Sequence, residues 1–238
     1  DIIITNPPFS LFRDFLAWIV EANKKFVIVG NKNCVTYKEV FPLIKENKLW
    51  SGRTEWSGGM WFETKDPTNV DKVINGIDMK NVSSIFLTNI DHGRRHQPLS
   101  LMTMQDNIKF SKHKEVKGKE YQKYDNYDVI EIPFTDSIPS DYDGIMGVPI
   151  SFLDKYCPEQ FQILGATQRG CHDEVPDTNK YDDFWEVKQN GEKTGSSGGK
   201  TNENANLVGN DGKKNYFTNK EGKVIQSAYQ RIFIKHKK

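Results

Sequence analysis

The sequence has few cysteines, no long apolar run and almost no net charge, and each shortage excludes a class of protein. Its 238 residues include three cysteines, Cys34, Cys157 and Cys171, none in a CxxC pair. This argues against a disulfide framework or a zinc site and favours free thiols in a reducing cytoplasm. No apolar run approaches the roughly 18 residues of a membrane span, and no stretch resembles a signal peptide. The net charge of +1 excludes the overall basicity of a histone-like protein, so binding to nucleic acid would depend on local patches.

The sequence also lacks an initiating methionine. It begins at Asp1, directly before the apolar strand pattern Ile2-Ile3-Ile4. We therefore expect the chain to be part of a longer protein that was cut or cloned here. Its length permits one large domain or two small ones.

Strand and helix patterns alternate over the first fifty residues. Residues 2–4 predict a parallel strand covered on both faces, and Ser10 is expected to cap a helix whose apolar residues recur at helical spacing up to Val20. Residues 26–29 predict a second buried strand that ends at a Gly30-Asn31 turn. This order is typical of an α/β sheet with right-handed crossovers.

A capping box and a proline mark the next predicted helix. Thr36 and Glu39 have the spacing of the box, and Pro42 is expected to kink the helix that follows. The stretches "MWFET" and "VSSIFLTNID" then predict two strands of a hairpin at the edge of the sheet.

The rest of the chain divides by composition into three parts. Residues 109–126 are rich in lysine and predict a solvated basic linker or loop. A second compact unit is predicted over residues 127–238, within which the polar stretch 189–223 is expected to bury little surface and to form a mobile insert. Residues 1–108 form the first predicted domain.

The four residues Asn6, Pro7, Pro8 and Phe9 carry the chemistry that the sequence suggests. An amino group conjugated to a ring is a poor nucleophile, and two acceptors that take both of its hydrogens would aim its lone pair at an electrophile. Asn6 offers its side-chain oxygen and Pro7 its carbonyl, which Pro8 holds in an extended conformation. Phe9 offers a ring face for a base, and the carboxyl end of a strand is where α/β sheets bind ligands. Alternatively, these residues only end a strand and start a helix.

Several stretches together resemble the EcoRI-type adenine-specific DNA methyltransferases. They are "TNPPFSLFRDF", "KKFVIVGNKNCVTYKEVFPLIKENKLW", "MWFET", "LTNIDHGRRHQPL", "YDNYD" and "YDGIMGVPISFLDKYCPEQFQILGA". The resemblance implies a partial Rossmann-like methyltransferase sheet, followed by an α+β region that recognises DNA. It also implies methyl transfer from S-adenosylmethionine to N6 of an adenine flipped out of double-stranded DNA. By this resemblance, Asn6 and Pro7 bind the amino group, Pro8 stiffens the loop and Phe9 stacks on the base.

One departure from the family concerns the cofactor. The resemblance places most of the S-adenosylmethionine site on a Gly-containing loop and an acidic residue that precede the Asn-Pro-Pro-Phe motif, and this chain has neither. We therefore expect the chain to bind cofactor weakly or not at all, and to be inactive alone.

Three further stretches are candidates for contacts with DNA. The basic segment after an apolar strand carries His92, Arg94, Arg95 and His96, which suit phosphates but also suit a solvated turn; Gly93 and Pro98 argue against a metal site there. Lys32 and Asn33 either line the DNA cleft or follow a simple glycine turn. Gln168 and Arg169 suit adenine and guanine edges, and such residues also occur in plain loops.

Two other classes of function remain open. The Asn-Pro-Pro-aromatic motif serves any planar amine or amide, so RNA or a protein glutamine is an alternative substrate. A non-catalytic DNA-binding fragment is the other alternative. The resemblance implies a protein of the cytoplasm of a bacterial or phage-infected cell, and the sequence predicts no membrane span and no metal site.

Overall fold

A computed structural model describes residues 1–167, 178–209, 212–228 and 230–238. The candidate residues Gln168 and Arg169, and Cys171, lie outside the described residues. The chain divides into two compact units, Asp1–Gln97 with Leu153–Tyr156, and Pro98–Phe152 with Cys157–Lys238. The architecture is mixed α/β, with several sheets and few helices. Within the described ranges, no helix is both long enough and apolar enough to cross a membrane.

The first unit contains seven strands and two α-helices. The strands are β1 (Ile2–Thr5), β2 (Lys25–Asn31), β3 (Trp50–Ser51), β4 (Met60–Glu63), β5 (Lys72–Ile74), β6 (Ile77–Val82) and β7 (Ser84–Thr88), and the helices are α1 (Phe12–Glu21) and α2 (Phe41–Lys45). The main sheet has the order β1-β2-β7-β3. β1 and β2 are parallel with Ile2 opposite Lys25, as predicted for two strands joined by a helix, whereas β7 is antiparallel to β2 and β3.

Burial differs sharply between the two parallel strands. Phe26 and Ile28 of β2 are fully buried, but Ile2 and Ile4 of β1 are 57% and 77% exposed. The expectation that β1 is covered on both faces is therefore wrong for this chain, because β1 is the edge strand of the sheet. A continuous apolar run does not distinguish a central strand from an edge strand, because the position of a strand in the sheet depends on which other strands pair with it.

Both predicted helix starts are wrong in detail. Residues Phe9–Leu11 form a 3₁₀ turn, and α1 begins at Phe12 without a side-chain cap, so Ser10 is not the capping residue. The Thr36 hydroxyl donates to the Asn33 carbonyl at 3.0 Å instead of capping a helix. Pro42 lies in the first turn of α2 and does not kink it, since the first turn of a helix needs no N–H donor from that position.

The predicted hairpin pairs the wrong strands. β4 pairs with β6, with Met60 opposite Val82, and these strands form a separate three-stranded sheet with β5. β7 instead joins the main sheet, between β2 and β3. Residues 72–82 contain two strands that the sequence pattern did not reveal, because they are short and mix charged with apolar residues.

Gly30 is a packing residue of β2 and not the turn that the sequence suggested. A Cβ atom at this position would lie 2.9 Å from Phe12 Cε2 and 3.1 Å from Cys34 Sγ, both on buried side chains. The glycine thus lets α1 approach the strand closely. We expect Gly30→Ala to lower the free energy of unfolding by about 1–3 kcal/mol, the usual cost of overpacking. Urea unfolding followed by circular dichroism measures this, with Gly93→Ala as the control because its Cβ would meet no atom within 4 Å. Equal stability of the two variants would contradict the packing role.

In its described residues, the second unit contains two sheets and a short helix. Helix α3 is Met104–Phe110, and the strands are β8 (Ile130–Glu131), β9 (Met146–Pro149), β10 (Phe161–Ala166), β11 (Trp185–Lys188), β12 (Lys193–Ser197), β13 (Asn206–Val208), β14 (Asn215–Thr218), β15 (Val224–Ser227) and β16 (Arg231–His236). The sheet orders are β10-β16-β9-β8 and β12-β11-β14-β15-β13. A buried cluster that includes Tyr127, Leu164, Leu207 and Phe233 joins residues of both sheets.

Residues 189–223 bury more than their composition suggested, so the expectation of little buried surface is wrong. They supply β12, β13 and β14, and Ala205, Asn206 and Thr201 are fully buried. Asn206 donates to the Thr201 carbonyl at 2.5 Å through its side chain, and to the Asn126 side chain at 3.0 Å through its backbone. Polar residues can be buried when hydrogen bonds satisfy them, and composition does not reveal those partners.

The two described cysteines are buried free thiols. Burial raises the pKa of Cys34 to about 12 from its usual 9.0, which lowers its thiolate fraction by about a thousandfold. Because the thiolate is the nucleophile, we expect iodoacetamide at pH 8 to label Cys34 at least about 100-fold more slowly in the native protein than in urea. Peptide mass spectrometry resolves each cysteine separately. Rapid native labelling of Cys34 would show that this part of the core opens readily.

Candidate functional site

The Asn-Pro-Pro-Phe loop lies at the carboxyl end of β1. Asn6, Pro8 and Phe9 are exposed, while Pro7 is buried. Pro8 is extended, with φ −56° and ψ 129°, and its carbonyl accepts from Leu11 N at 2.9 Å. That hydrogen bond closes the 3₁₀ turn and occupies the Pro8 carbonyl. Asn6, which precedes the turn, is exposed to solvent.

The residues that follow fix the loop to the core. Phe12, Leu16 and Ile19 lie on one face of α1 and are buried, whereas Phe9 is 47% exposed. The contrast between Phe9 and Phe12, three residues apart, means that Phe9 is not needed as a core residue. An exposed ring beside an exposed amide is suited to a planar ligand.

Lys32 and Asn33 follow the carboxyl end of β2. This end lies beside the carboxyl end of β1, where the loop begins, because the two strands are parallel. The Asn31 side chain accepts from Asn33 N at 2.9 Å, which starts a 3₁₀ helix, Lys32–Thr36. Lys32 donates to the Trp56 carbonyl at 3.1 Å and lies 6.0 Å from the centroid of its ring. Asn33 is exposed. Of these two candidates, Asn33 is the more accessible to a ligand.

The basic segment begins at the other end of the strands, opposite the end that carries the Asn-Pro-Pro-Phe loop. β7 is antiparallel to β2, with Thr88 opposite Val27 and Ser84 opposite Asn31. The chain after β7 therefore starts beside the amino end of β2, and not beside the Asn-Pro-Pro-Phe loop. Asn89 marks the position, since its side chain accepts from Phe26 N at 2.9 Å.

The two arginines of this segment are bound by partners within the same unit. Arg94 donates to the Gly52 carbonyl at 3.2 Å and to Asp154 at 2.8 Å; the Asp154 side chain is only 8% exposed. Arg95 lies 3.7 Å from the centroid of the Trp50 ring, and it donates to Asp91 at 3.1 Å and to the Asn47 side chain. With 9% of Arg95 exposed, these contacts favour a structural role for it over phosphate binding.

The two histidines differ in accessibility. His92 Nε2 donates to the Ser51 carbonyl at 2.9 Å, and within the part of the chain that the structure describes its buried Nδ1 has no hydrogen-bond partner. His96 is exposed and lies 2.8 Å from Asp91. The hydrogen bond from His96, followed by that from Arg95, lowers the pKa of Asp91. No group of three or more His, Cys, Asp or Glu side chains within the described ranges is placed to hold a metal ion.

Sequence reasoning missed the partners that give this segment its structure. Trp50 and Asp154 are far from it along the chain, and neither has a motif that points to an arginine. The one signal was an acidic residue inside the apolar stretch "SFLDKY", since a carboxylate in such surroundings requires a partner.

The sheet is that of a mixed α/β protein, with a prolyl-stiffened loop at the carboxyl end of an edge strand. Comparison with known proteins identifies the class. The family described as adenine-specific methyltransferase EcoRI matches residues 1–237, and the chain belongs to this family.

The chain is also similar to individual proteins that are named as type II methyltransferases. The chain is 43% identical over 171 residues to type II methyltransferase M.EcoRI of Escherichia coli, covering 69% of this chain and 49% of that protein. It is 36% identical over 171 residues to M.MpnI of Mycoplasma pneumoniae and to M.MgeORF184P of Mycoplasma genitalium, covering 69% of this chain and 51% of each. The chain thus spans about half the length of the curated relatives it matches. No solved structure matches significantly.

Proposed function

We propose that this chain is part of a site-specific DNA adenine-N6 methyltransferase of the restriction-modification type, which acts on an adenine flipped out of the duplex in a bacterial or phage-infected cytoplasm. The observation that carries the proposal is the loop after β1, where Asn6 and Phe9 are exposed and two prolines fix the backbone between them. Membership of the adenine-specific family supports the same substrate.

The loop residues hold and orient the adenine amine. Asn6 Oδ1 and the Pro7 carbonyl accept its two hydrogens, so that the nitrogen lone pair is directed away from the ring. The extended Pro8 keeps that carbonyl fixed without any loss of backbone entropy on binding. Phe9 stacks on the flipped base, a contact worth about 1–3 kcal/mol, which offsets part of the cost of flipping.

S-adenosylmethionine is the cofactor that the family implies, and it supplies an electrophilic methyl group. The described residues do not fit its site as the resemblance defines it. The loop after β1 is proline-rich. The segment after β2 is a 3₁₀ helix that begins at an Asn31 turn, and it has no acidic residue between Asn31 and Lys38. We therefore assign no residue to the cofactor, and expect this chain alone to bind it weakly or not at all.

The fold of the first unit supports this proposal. A parallel pair β1-β2 with a crossover helix is the repeating unit of a Rossmann-like sheet. We assign residues 1–108 to the later half of the catalytic domain, 109–126 to a basic linker or loop, and 127–238 to a target-recognition region that includes the polar stretch 189–223.

The candidate DNA contacts fall into three groups by exposure. Asn33 and His96 are exposed, Lys32, His92 and Arg94 are partly buried, and Arg95 is buried. We propose that Asn33 and His96 reach DNA, and that the remaining members of this set mainly support the loops. Gln168 and Arg169 keep their proposed role in reading base edges.

Incorporation of tritiated methyl groups by the complete encoded protein tests the substrate. We expect labelled N6-methyladenine in duplex DNA, and no label in RNA or in protein glutamine. Label in RNA or protein instead would establish the first alternative function. DNA binding without any methyl transfer would establish the second.

Calorimetry with S-adenosylmethionine on the 238-residue chain tests the cofactor argument separately. We expect no measurable heat at micromolar concentrations. Tight binding would mean that residues described here form a cofactor site after all.

A further inference from the structure

The second unit contains a sizeable cavity. Its volume is about 590 Å³, and it is bounded by residues 115–122 of the lysine-rich stretch, by β8 and β16, and by β13 and β15. This size is typical of a site for a small organic ligand. The Asn-Pro-Pro-Phe loop contributes nothing to it.

The wall formed by β8 and β16 carries a buried ion pair. Arg231 Nη2 donates to Glu131 Oε1 at 2.7 Å and Arg231 Nε to Oε2 at 3.0 Å, and the Tyr124 hydroxyl also donates to this carboxylate. Burial and the neighbouring Glu131 raise the pKa of Tyr124 well above its usual value, so it stays a neutral donor. The charges of Arg231 and Glu131 therefore cancel each other within this wall.

The rest of the lining suits a flat polar ring. Val116 and Leu207 give it apolar sides, and Gln122 and Gln226 add carboxamides. Gln226 is only 5% exposed, whereas Gln122 is exposed. A carboxamide carries a donor and an acceptor side by side, the arrangement that matches the edge of a nucleobase. Lys119 and Lys213 line the same cavity, as do Glu115 and Glu120, and all four are exposed. The two ammonium groups can contact a phosphate outside the cavity.

We propose that this cavity binds a single nucleobase whose phosphate faces Lys119 and Lys213. The ligand is a base of a DNA strand or a free deoxynucleotide; the DNA source rests on the proposed function. The carboxamides of Gln122 and Gln226 contact the edge of the base, and Val116 and Leu207 contact its faces. The lysine-rich stretch thereby becomes one wall of a binding site.

Titration of the 238-residue chain tests the proposal. The probes are the four deoxynucleoside 5′-monophosphates and, separately, a short DNA duplex, each followed by calorimetry. We expect Gln122→Ala to weaken binding about fivefold, since one hydrogen bond is lost. Lys213→Ala should weaken it by a smaller factor that decreases with added salt. Gln105→Ala and Lys220→Ala, which change exposed residues outside the cavity, should leave binding unchanged.

The two probes separate the sources of the base. Weakening of monophosphate and duplex binding together by Gln122→Ala supports a base of DNA as the ligand. Weakening of monophosphate binding alone supports a free deoxynucleotide. Absence of monophosphate binding, or equal effects of the cavity and control variants, would overturn the proposal. Because no methyl transfer is measured, failure of the proposed enzymatic function would not change these outcomes.

A cavity-filling variant gives an independent check. Leu207→Trp should abolish monophosphate binding by occupying the space between the apolar sides. If circular dichroism shows that this variant is unfolded, Gln122→Ala still decides the matter, because its side chain is exposed and its backbone carbonyl, which accepts from Glu131 N, is unchanged.

Discussion

Replacing Asn6 with alanine should lower methyl transfer to duplex DNA by at least about 100-fold in the complete encoded protein, the scale on which misplacing a reacting group acts. The variant keeps the prolines and Phe9, so the base still stacks. It removes one of the two acceptors that hold the amine, and the lone pair is no longer directed. We therefore expect kcat to decrease far more than affinity for DNA, since the lost interaction acts mainly in the transition state.

Asn69→Ala is the matched control for this experiment. Asn69 is an exposed asparagine of the same unit, outside the candidate site, and its replacement should leave turnover unchanged. Single-turnover measurement with labelled cofactor separates the chemical step from product release. Wild-type turnover by Asn6→Ala would disprove the proposed chemistry.

Replacing Glu131 with alanine should have the largest effect on stability. The Glu131 and Arg231 side chains are 9% and 13% exposed, and the mutation leaves a mostly buried guanidinium without its main counter-charge. Removing one partner of a buried pair costs about 3–5 kcal/mol. We expect that loss in urea unfolding of the 238-residue chain, followed by circular dichroism.

Two comparisons isolate the cause. Glu192→Ala removes an exposed carboxylate that lies 3.2 Å from Lys188, and exposed pairs of this kind contribute only about 0.2–1 kcal/mol. The double variant Glu131→Leu, Arg231→Leu should lower the free energy of unfolding less than Glu131→Ala alone, because no unpaired charge remains. Equal losses in Glu131→Ala and Glu192→Ala would contradict the argument.

The candidate site was predictable to the extent that its chemistry is local. The exposure of Asn6 and Phe9 follows from the end of a strand and from two adjacent prolines, all within ten residues. The basic segment was different. Its composition suggested phosphate contacts, but the structure supplies Trp50 and Asp154 as partners for Arg95 and Arg94. A sequence shows which charges exist, and it does not show which of them are already neutralised.

The local elements were predictable from the residues alone. They are the strand pattern of residues 2–4, the apolar face of α1, the buried β2 and the stiff loop after β1. Apolar periodicity and proline stereochemistry act over a few residues and need no partner to be recognised. Three features were evident only from the fold: β4 pairs with β6, β7 joins the main sheet, and the polar stretch 189–223 buries Asn206. These features depend on which distant segments satisfy each other's hydrogen bonds and cover each other's apolar faces. Such contacts form only when the chain folds, so local sequence patterns do not reveal them.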